Sequence, residues 1–145
     1  MYAAIITNIL SRFGMESCRP VSTPIYPKAS LVKASDSDSV FEQNLYQRMI
    51  GSLMYLVTCT RPDLAFSVSY LSPFSFHALE RDHTAVKRVF RYLDGTRSMS
   101  LKYKRSPTSV PLSIVAFSDS DYVSCRDTRR SVSGYALILN GCAIS

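Results

Sequence analysis

The spacing of apolar residues changes from a helical period before residue 96 to strand-like alternation after it. Four helices are predicted: from Tyr2 to Phe13, from about Phe41 to Val57, from Pro62 to a stop or kink at Pro73, and from about His83 to Leu93. Gly14 and Gly95 follow the first and last of these patterns, where glycine commonly ends a helix. The first two thirds of the chain are therefore predicted to be mostly helical.

Strand signals fill the rest of the chain. Strands are predicted at Met99–Lys104, Leu112–Phe117 and Val132–Leu139, and Cys142–Ser145 is predicted to begin a further strand. Turns are predicted at Ser106–Pro107 and Asn140–Gly141. The nearly unbroken apolar run Leu112–Phe117 indicates a strand covered on both faces, and Asn140–Gly141 is a strong hairpin signal. The predicted fold class is α+β, with the helices followed by the first antiparallel strands of an incomplete sheet.

A stretch rich in proline and serine separates the first helix from the others. Residues 19–40 combine three prolines with serines and aspartates, a composition typical of an extended linker. We therefore divide the chain into a first helix (1–18), a linker (19–40), a helical segment (41–96) and a partial β-sheet (97–145). The first helix is expected to be a separate, poorly docked piece.

Composition narrows the class of protein. The chain has 145 residues, of which 46% are hydrophobic and 19% charged, as in an ordinary globular domain and unlike a disordered chain. Its longest apolar runs fall short of the roughly 20 residues of a membrane span, and no signal peptide is evident. The four cysteines have no zinc-site spacing, so free thiols in a reducing, intracellular compartment (cytoplasm or nucleus) are expected.

Three runs of sequence, in collinear order, resemble one known family. They are ILSRFGM (9–15) with CRPVSTP (18–24), YQRMIGSLMYL (46–56) with TRPD (60–63) and AVKRVFRYLDGT (85–96), and FSDSDY (117–122) with DTRRSVSGY (127–135). Together they resemble the reverse transcriptase–ribonuclease H region of copia-type (Pseudoviridae) retrotransposon polyproteins. The resemblance implies the end of the polymerase portion, then the helical segment joining it to ribonuclease H, then the opening strands of a ribonuclease H-like sheet.

The resemblance also implies what the isolated chain lacks. The polymerase aspartates would lie upstream of Met1, and only the first of the four acidic ribonuclease H residues is matched. Pro73, Thr84 and Tyr122 stand where the family usually has a basic residue, an aromatic residue and tryptophan. We therefore expect a truncated, catalytically inactive fragment of an RNA-directed DNA polymerase/ribonuclease H polyprotein.

Two carboxylates are the candidate metal ligands. The resemblance assigns Asp119 as the first acidic ribonuclease H residue, here vestigial, and Asp121 lies two positions further on, on the same face if the strand continues. Ribonuclease H chemistry uses two divalent ions held by several carboxylates, so this pair would be a weak, incomplete site. Two ordinary turn aspartates are the alternative. No cofactor is expected for the isolated chain, whereas the intact family implies Mg²⁺.

Basic residues form the second constellation. The chain carries a formal charge of +6, of which residues 77–105 contribute +5. The candidate nucleic-acid-binding residues are Arg81, Lys87, Arg88, Arg91, Arg97, Lys102, Lys104 and Arg105. Such a surface would follow the phosphates of an RNA–DNA hybrid or another duplex, without reading sequence. An ordinary solvated helix face is the alternative.

Two other functions remain open beside the inactive Pol fragment. One is a domesticated small basic module that binds nucleic acid. The other is a protein-interaction fragment without a nucleic-acid role, which self-associates through the unfinished sheet edge.

Overall fold

The chain forms two compact units, residues 1–100 and residues 101–145. The computed structural model describes residues 2–26, 31, 41–103, 113–121 and 131–144. The predicted turn at Ser106–Pro107 and the basic residues Lys104 and Arg105 lie outside these described residues.

The first unit is helical, as the apolar spacing predicted. Its helices are α1 (Tyr2–Arg12), α2 (Gln43–Cys59), α3 (Ala65–Leu71) and α4 (Glu80–Gly95), with 3-10 turns at Pro62–Leu64 and Ser72–Phe76. Gly14 follows α1 with a φ of 64°, a left-handed conformation that favours glycine. Pro62 opens the first 3-10 turn, and α3 stops before Pro73, as predicted.

Helix α4 begins earlier than the sequence pattern indicates, at Glu80 instead of about His83. The Asp82 carboxylate accepts a hydrogen bond of 2.8 Å from the backbone N–H of Leu79, the residue that precedes the helix. This contact satisfies a donor that would otherwise be unpaired at the helix start. A side chain in the first turn therefore extends the helix by most of a turn.

The first helix is well docked, so the expectation of a separate, poorly docked piece is wrong. Ile6 and Leu10 of α1 are buried in the same hydrophobic core as residues of α2, α3 and α4. The Phe13 ring packs edge-on against Phe90, with 5.3 Å between ring centroids. Because α1 and α4 both have apolar faces, the helix docks on its own neighbours within this unit.

The second unit contains a three-stranded antiparallel sheet, which confirms the α+β fold class. Its strands are β1 (Ile114–Asp121), β2 (Val132–Leu139) and β3 (Cys142–Ala143), in the order β1-β2-β3. Asn140 and Gly141 join β2 to β3 with positive φ values of 48° and 78°, as the hairpin signal predicted.

Two strand predictions are wrong. Residues 99–103 are not in a strand, and the N–H of Met99 instead closes a turn onto the Thr96 carbonyl at 3.0 Å. The strand at Leu112–Phe117 was expected to be covered on both faces, yet Ile114 is 67% and Phe117 61% exposed. An apolar run marks residues that gain from burial, but a second layer has to supply it. The described residues of this unit contain no helix that does so.

Among the described residues, no helix is both long enough and apolar enough to span a bilayer.

Candidate functional site

The acidic pair lies on β1. Asp119 is exposed and is paired in register with Gly134 of β2, and Asp121 is the last residue of the strand, opposite Val132. Residues two apart in a strand occupy the same face, so the backbone places positions 119 and 121 on one side of the sheet. The continuation of the strand that the acidic pair required is therefore present.

The described residues do not fit a pair of divalent metal ions. Within them, no group of three or more histidine, cysteine, aspartate or glutamate side chains could hold a metal. Two hard cations need several carboxylates between them, which two positions on one strand do not supply. Asp127, the next acidic residue along the chain, lies outside the described residues. We therefore derive no metal-dependent step from this site.

Three of the candidate basic residues, Arg88, Arg91 and Arg97, donate hydrogen bonds to other parts of the chain. The Arg88 guanidinium donates to the Thr23 hydroxyl at 2.7 Å and lies 3.7 Å from the centroid of the Tyr26 ring. Arg91 donates to the Arg19 carbonyl at 2.7 Å. These contacts hold the stretch after α1 against α4.

Arg97 has a similar role beyond the end of α4. It is ion-paired with Asp94 and donates to the Glu16 carbonyl at 3.2 Å. The same region is tightly packed, because a Cβ added at Gly95 would lie only 3.0 Å from the Pro20 Cβ. Glycine at this position therefore permits a close approach, besides marking the end of the helix.

The other described candidates are more exposed. Arg81 lies 3.9 Å from the Asp82 carboxylate, and Lys87 and Lys102 are exposed. Among the described members of this set, Arg88, Arg91 and Arg97 thus bind other parts of the chain, whereas Arg81, Lys87 and Lys102 are exposed. A role for the set in nucleic-acid binding stays a prediction.

A buried arginine forms a network that the sequence reasoning did not identify. Arg61 is 2% exposed, and its guanidinium donates two hydrogen bonds to the Asp63 carboxylate, at 2.9 and 2.8 Å. It also donates to the Thr96 carbonyl at 3.2 Å and to the Thr96 hydroxyl at 2.7 Å. The Tyr92 hydroxyl completes the network by donating to Asp63 at 3.0 Å. The network joins the turn after α2 to the end of α4.

Electrostatics within this network favour the charged pair. Burial opposes the ionised form of Asp63, but the hydrogen bonds and charge of Arg61, with the Tyr92 hydroxyl, outweigh burial and lower its pKa. Burial and the Asp63 carboxylate raise the pKa of Tyr92. The sequence signal was present in TRPD (60–63) and in the run ending at Thr96, but local pattern alone read these residues as helix boundaries.

Two titratable residues are buried where α4 begins. Burial raises the pKa of Asp82, although the N–H of Leu79 and the charge of Arg81 oppose this. His83 stacks on the Phe41 ring, with 3.8 Å between centroids, and its Nδ1 lies 3.5 Å from the Glu80 carboxylate. Burial and the nearby Lys87 lower the pKa of His83, so its neutral form is favoured in the folded protein.

Comparison with known proteins shows extensive similarity to transposon polyproteins. The chain is 36% identical over 145 residues to the retrovirus-related Pol polyprotein from transposon TNT 1-94 of Nicotiana tabacum, a match that covers 97% of this chain and 11% of that protein. It is 35% identical over 140 residues to the retrovirus-related Pol polyprotein from transposon RE1 of Arabidopsis thaliana, covering 97% of this chain and 9% of that protein. The chain thus spans about a tenth of the length of these polyproteins.

A shorter relative matches over most of its own length. An uncharacterized mitochondrial protein of Arabidopsis thaliana is 48% identical over 86 residues, covering 59% of this chain and 74% of that protein. No family model matches the chain, and neither does any solved structure. The collinear similarity to several Pol polyproteins is nevertheless consistent along nearly the whole sequence. The chain belongs to the copia-type retrovirus-related Pol polyproteins of transposons.

Proposed function

We propose that this chain supplies the part of a copia-type Pol polyprotein at which the polymerase portion passes into ribonuclease H. In this role its helical unit holds nucleic acid and has no catalytic centre of its own. The observation that carries the proposal is the similarity to Pol polyproteins over 97% of the chain. The succession of helical unit and antiparallel sheet supports it.

Nucleic-acid binding is the activity to test first. The net charge of +6 favours an acidic partner, and binding through phosphates releases counterions from the nucleic acid. We expect an RNA–DNA hybrid to bind the full chain with an affinity that falls steeply as salt rises. Fluorescence anisotropy of a labelled hybrid, measured at salt concentrations from about 50 to about 200 mM, tests this. Binding no tighter than to an uncharged polymer would contradict it.

Ribonuclease activity is not part of the proposed role. The described residues do not provide the carboxylates that two divalent ions require. Incubation of the full chain with an RNA–DNA hybrid and Mg²⁺ should therefore give no more cleavage than the Asp119→Asn variant. Cleavage by the unaltered chain that disappears in Asp119→Asn would show that Asp119 is a working metal ligand and would overturn this part of the proposal.

Self-association through the sheet is a second candidate function. Phe117 is 61% and Tyr135 72% exposed, and β1 is the terminal strand of the described sheet. An exposed apolar strand at a sheet edge favours pairing with another chain. Light scattering across a range of protein concentrations, without nucleic acid, should then show a mass that increases with concentration. A constant monomer mass would exclude this second candidate.

A further inference from the structure

An open groove of about 480 Å³ lies between α1 and α2. Its volume falls within the roughly 300–1,000 Å³ of small-ligand sites. The groove is lined by Ile5, Asn8, Ile9 and Arg12 from α1, and by Arg48, Gly51, Ser52 and Tyr55 from α2. None of these residues belongs to the basic set that the sequence singled out, so the groove is a separate candidate site.

The groove is positively charged without local compensation. Arg12 and Arg48 are exposed, and no acidic residue lines the groove beside them. Within the described part of the chain, neither guanidinium has an ion pair or a hydrogen-bond partner, in contrast to Arg88, Arg91 and Arg97. Two arginines in one concave site concentrate positive potential, and the guanidinium group suits phosphate oxygens. The charge therefore points to an anionic ligand carrying phosphates.

An aromatic ring and an apolar floor accompany the two charges. Tyr55 is 54% exposed at the groove, although it lies on a helix whose other apolar face is buried. Ile5 and Ile9 contribute apolar surface from the facing helix. A half-exposed ring near guanidinium groups is the combination on which single-stranded nucleic acids stack their bases. In a duplex the bases stack on one another, so no base would be available to stack on Tyr55.

Gly51 keeps the groove open. Glycine inside a helix costs about 1 kcal/mol relative to alanine, and a Cβ added at Gly51 would meet no heavy atom within 4 Å. Packing within the described structure therefore does not require glycine here. The absence of a side chain instead leaves the space between Arg48 and Tyr55 accessible.

We propose that the α1–α2 groove binds single-stranded nucleic acid, with Arg12 and Arg48 on backbone phosphates and a base stacked on Tyr55. This inference rests on the proposed function, since it requires that the chain bind nucleic acid. It goes further by assigning the site and by selecting single strands over duplexes.

The charge contribution is tested with the full chain and a fluorescein-labelled oligothymidylate. Each phosphate contact to a single strand contributes about 0.7 to the slope of log affinity against log salt. The double variant Arg12→Gln/Arg48→Gln should therefore flatten the slope by about 1.4 and bind about 25-fold more weakly at 0.1 M salt. Arg19→Glu changes the net charge by the same amount at an exposed position outside the groove, and it should retain most of the affinity and the slope.

Two further variants test the open volume of the groove and the Tyr55 ring without changing the net charge. Gly51→Leu should fill the groove and weaken binding, while its thermal midpoint stays equal or rises because leucine favours helix over glycine. Tyr55→Ala should weaken oligothymidylate binding by about 5- to 150-fold and should abolish the preference over a hairpin duplex.

The outcomes separate this inference from the proposed function. If the unaltered chain binds neither single-stranded nor hybrid nucleic acid, both fail. If Arg12→Gln/Arg48→Gln binds normally while Lys87→Gln/Lys102→Gln loses affinity, the groove is excluded and the proposed function stands. Normal binding by Gly51→Leu, or equal binding of duplex and single strand that Tyr55→Ala does not change, would likewise overturn the groove proposal.

Discussion

The helical unit and the sheet unit differ in how far they bury similar apolar residues. Phe90 of α4 is completely buried, whereas Phe117 of β1 is 61% exposed, although both lie in clearly apolar patterns. The helical unit folds four helices around one shared core, which buries the inward-facing apolar residues of each helix. A sheet of three strands, one of them only two residues long, has no such layer within the described part of its unit. Apolar patterning therefore reports a tendency to be buried, and the rest of the fold decides whether burial occurs.

The largest expected effect contrasts these two phenylalanines. Phe90→Ala should lower the free energy of unfolding by about 3–5 kcal/mol, because it leaves a cavity in the helical core. Phe117→Ala should change it by no more than about 0.5 kcal/mol, as at other exposed positions. Urea denaturation followed by circular dichroism measures both. A large loss from Phe117→Ala would mean that the sheet is covered in solution and that the contrast between the units is false.

A smaller effect is expected at the buried arginine. Arg61→Ala removes four hydrogen bonds to Asp63 and Thr96, and of this network it leaves the Asp63 carboxylate only the Tyr92 hydroxyl. Since Asp63 keeps some access to water, we expect a loss of about 1–3 kcal/mol in the free energy of unfolding. Arg12→Ala, a matched exposed arginine, should cost no more than about 0.5 kcal/mol.

The same denaturation series shows whether the network is stabilising. Arg61→Lys keeps the charge but not the paired donors, so its stability should lie between those of the unaltered chain and Arg61→Ala. If Arg61→Ala and Arg12→Ala are equally stable, the network contributes nothing measurable.

The third prediction concerns the hairpin of the sheet unit. Gly141 has a φ of 78°, so Gly141→Ala should destabilise the hairpin by about 1–2 kcal/mol. Gly134→Ala is the matched control, because Gly134 lies in β2 with no positive φ and no atom within 4 Å of an added Cβ. Amide hydrogen exchange should quicken in residues 131–144 for Gly141→Ala alone. Faster exchange throughout residues 1–100 as well would show that the two units unfold together.

The smallest effect is a pH dependence in the helical unit. The pKa of His83 is lowered in the folded protein, so the unfolded chain takes up the proton first as pH falls. This contribution to stability is complete above the ordinary histidine pKa of about 6.5, and it is lost as pH falls from there through the lowered value. The thermal midpoint of the unaltered chain should therefore decrease as the pH is lowered from 8 to 5.

The variant His83→Gln isolates this contribution, because it removes the titrating ring at the same position. Its midpoint should vary less with pH between these limits than that of the unaltered chain. An identical pH dependence in both proteins would assign the effect to other groups. Asp82 titrates with the opposite sign, since its raised pKa favours the folded state at low pH.

Local features of this protein followed from its sequence. Helical periodicity located four helices, Gly14 and Pro73 marked two of their ends, and Asn140–Gly141 identified the hairpin. The change from helical to strand-like periodicity predicted the α+β class, and three collinear motifs indicated the family. These properties depend on residues that are close together in the chain, so they can be predicted from the sequence alone.

The tertiary structure alone decided which side chains are available. The run around α4 predicted eight basic residues as one surface, yet Arg88 and Arg91 hold the stretch after α1, about 70 residues away in sequence. The buried position of Arg61 and the groove that joins Arg12 to Arg48 depend equally on how distant helices pack. Spacing along the chain states which face of an element a side chain occupies. Which distant residues contact that face is decided by long-range packing, and the periodicity of apolar residues does not predict those contacts.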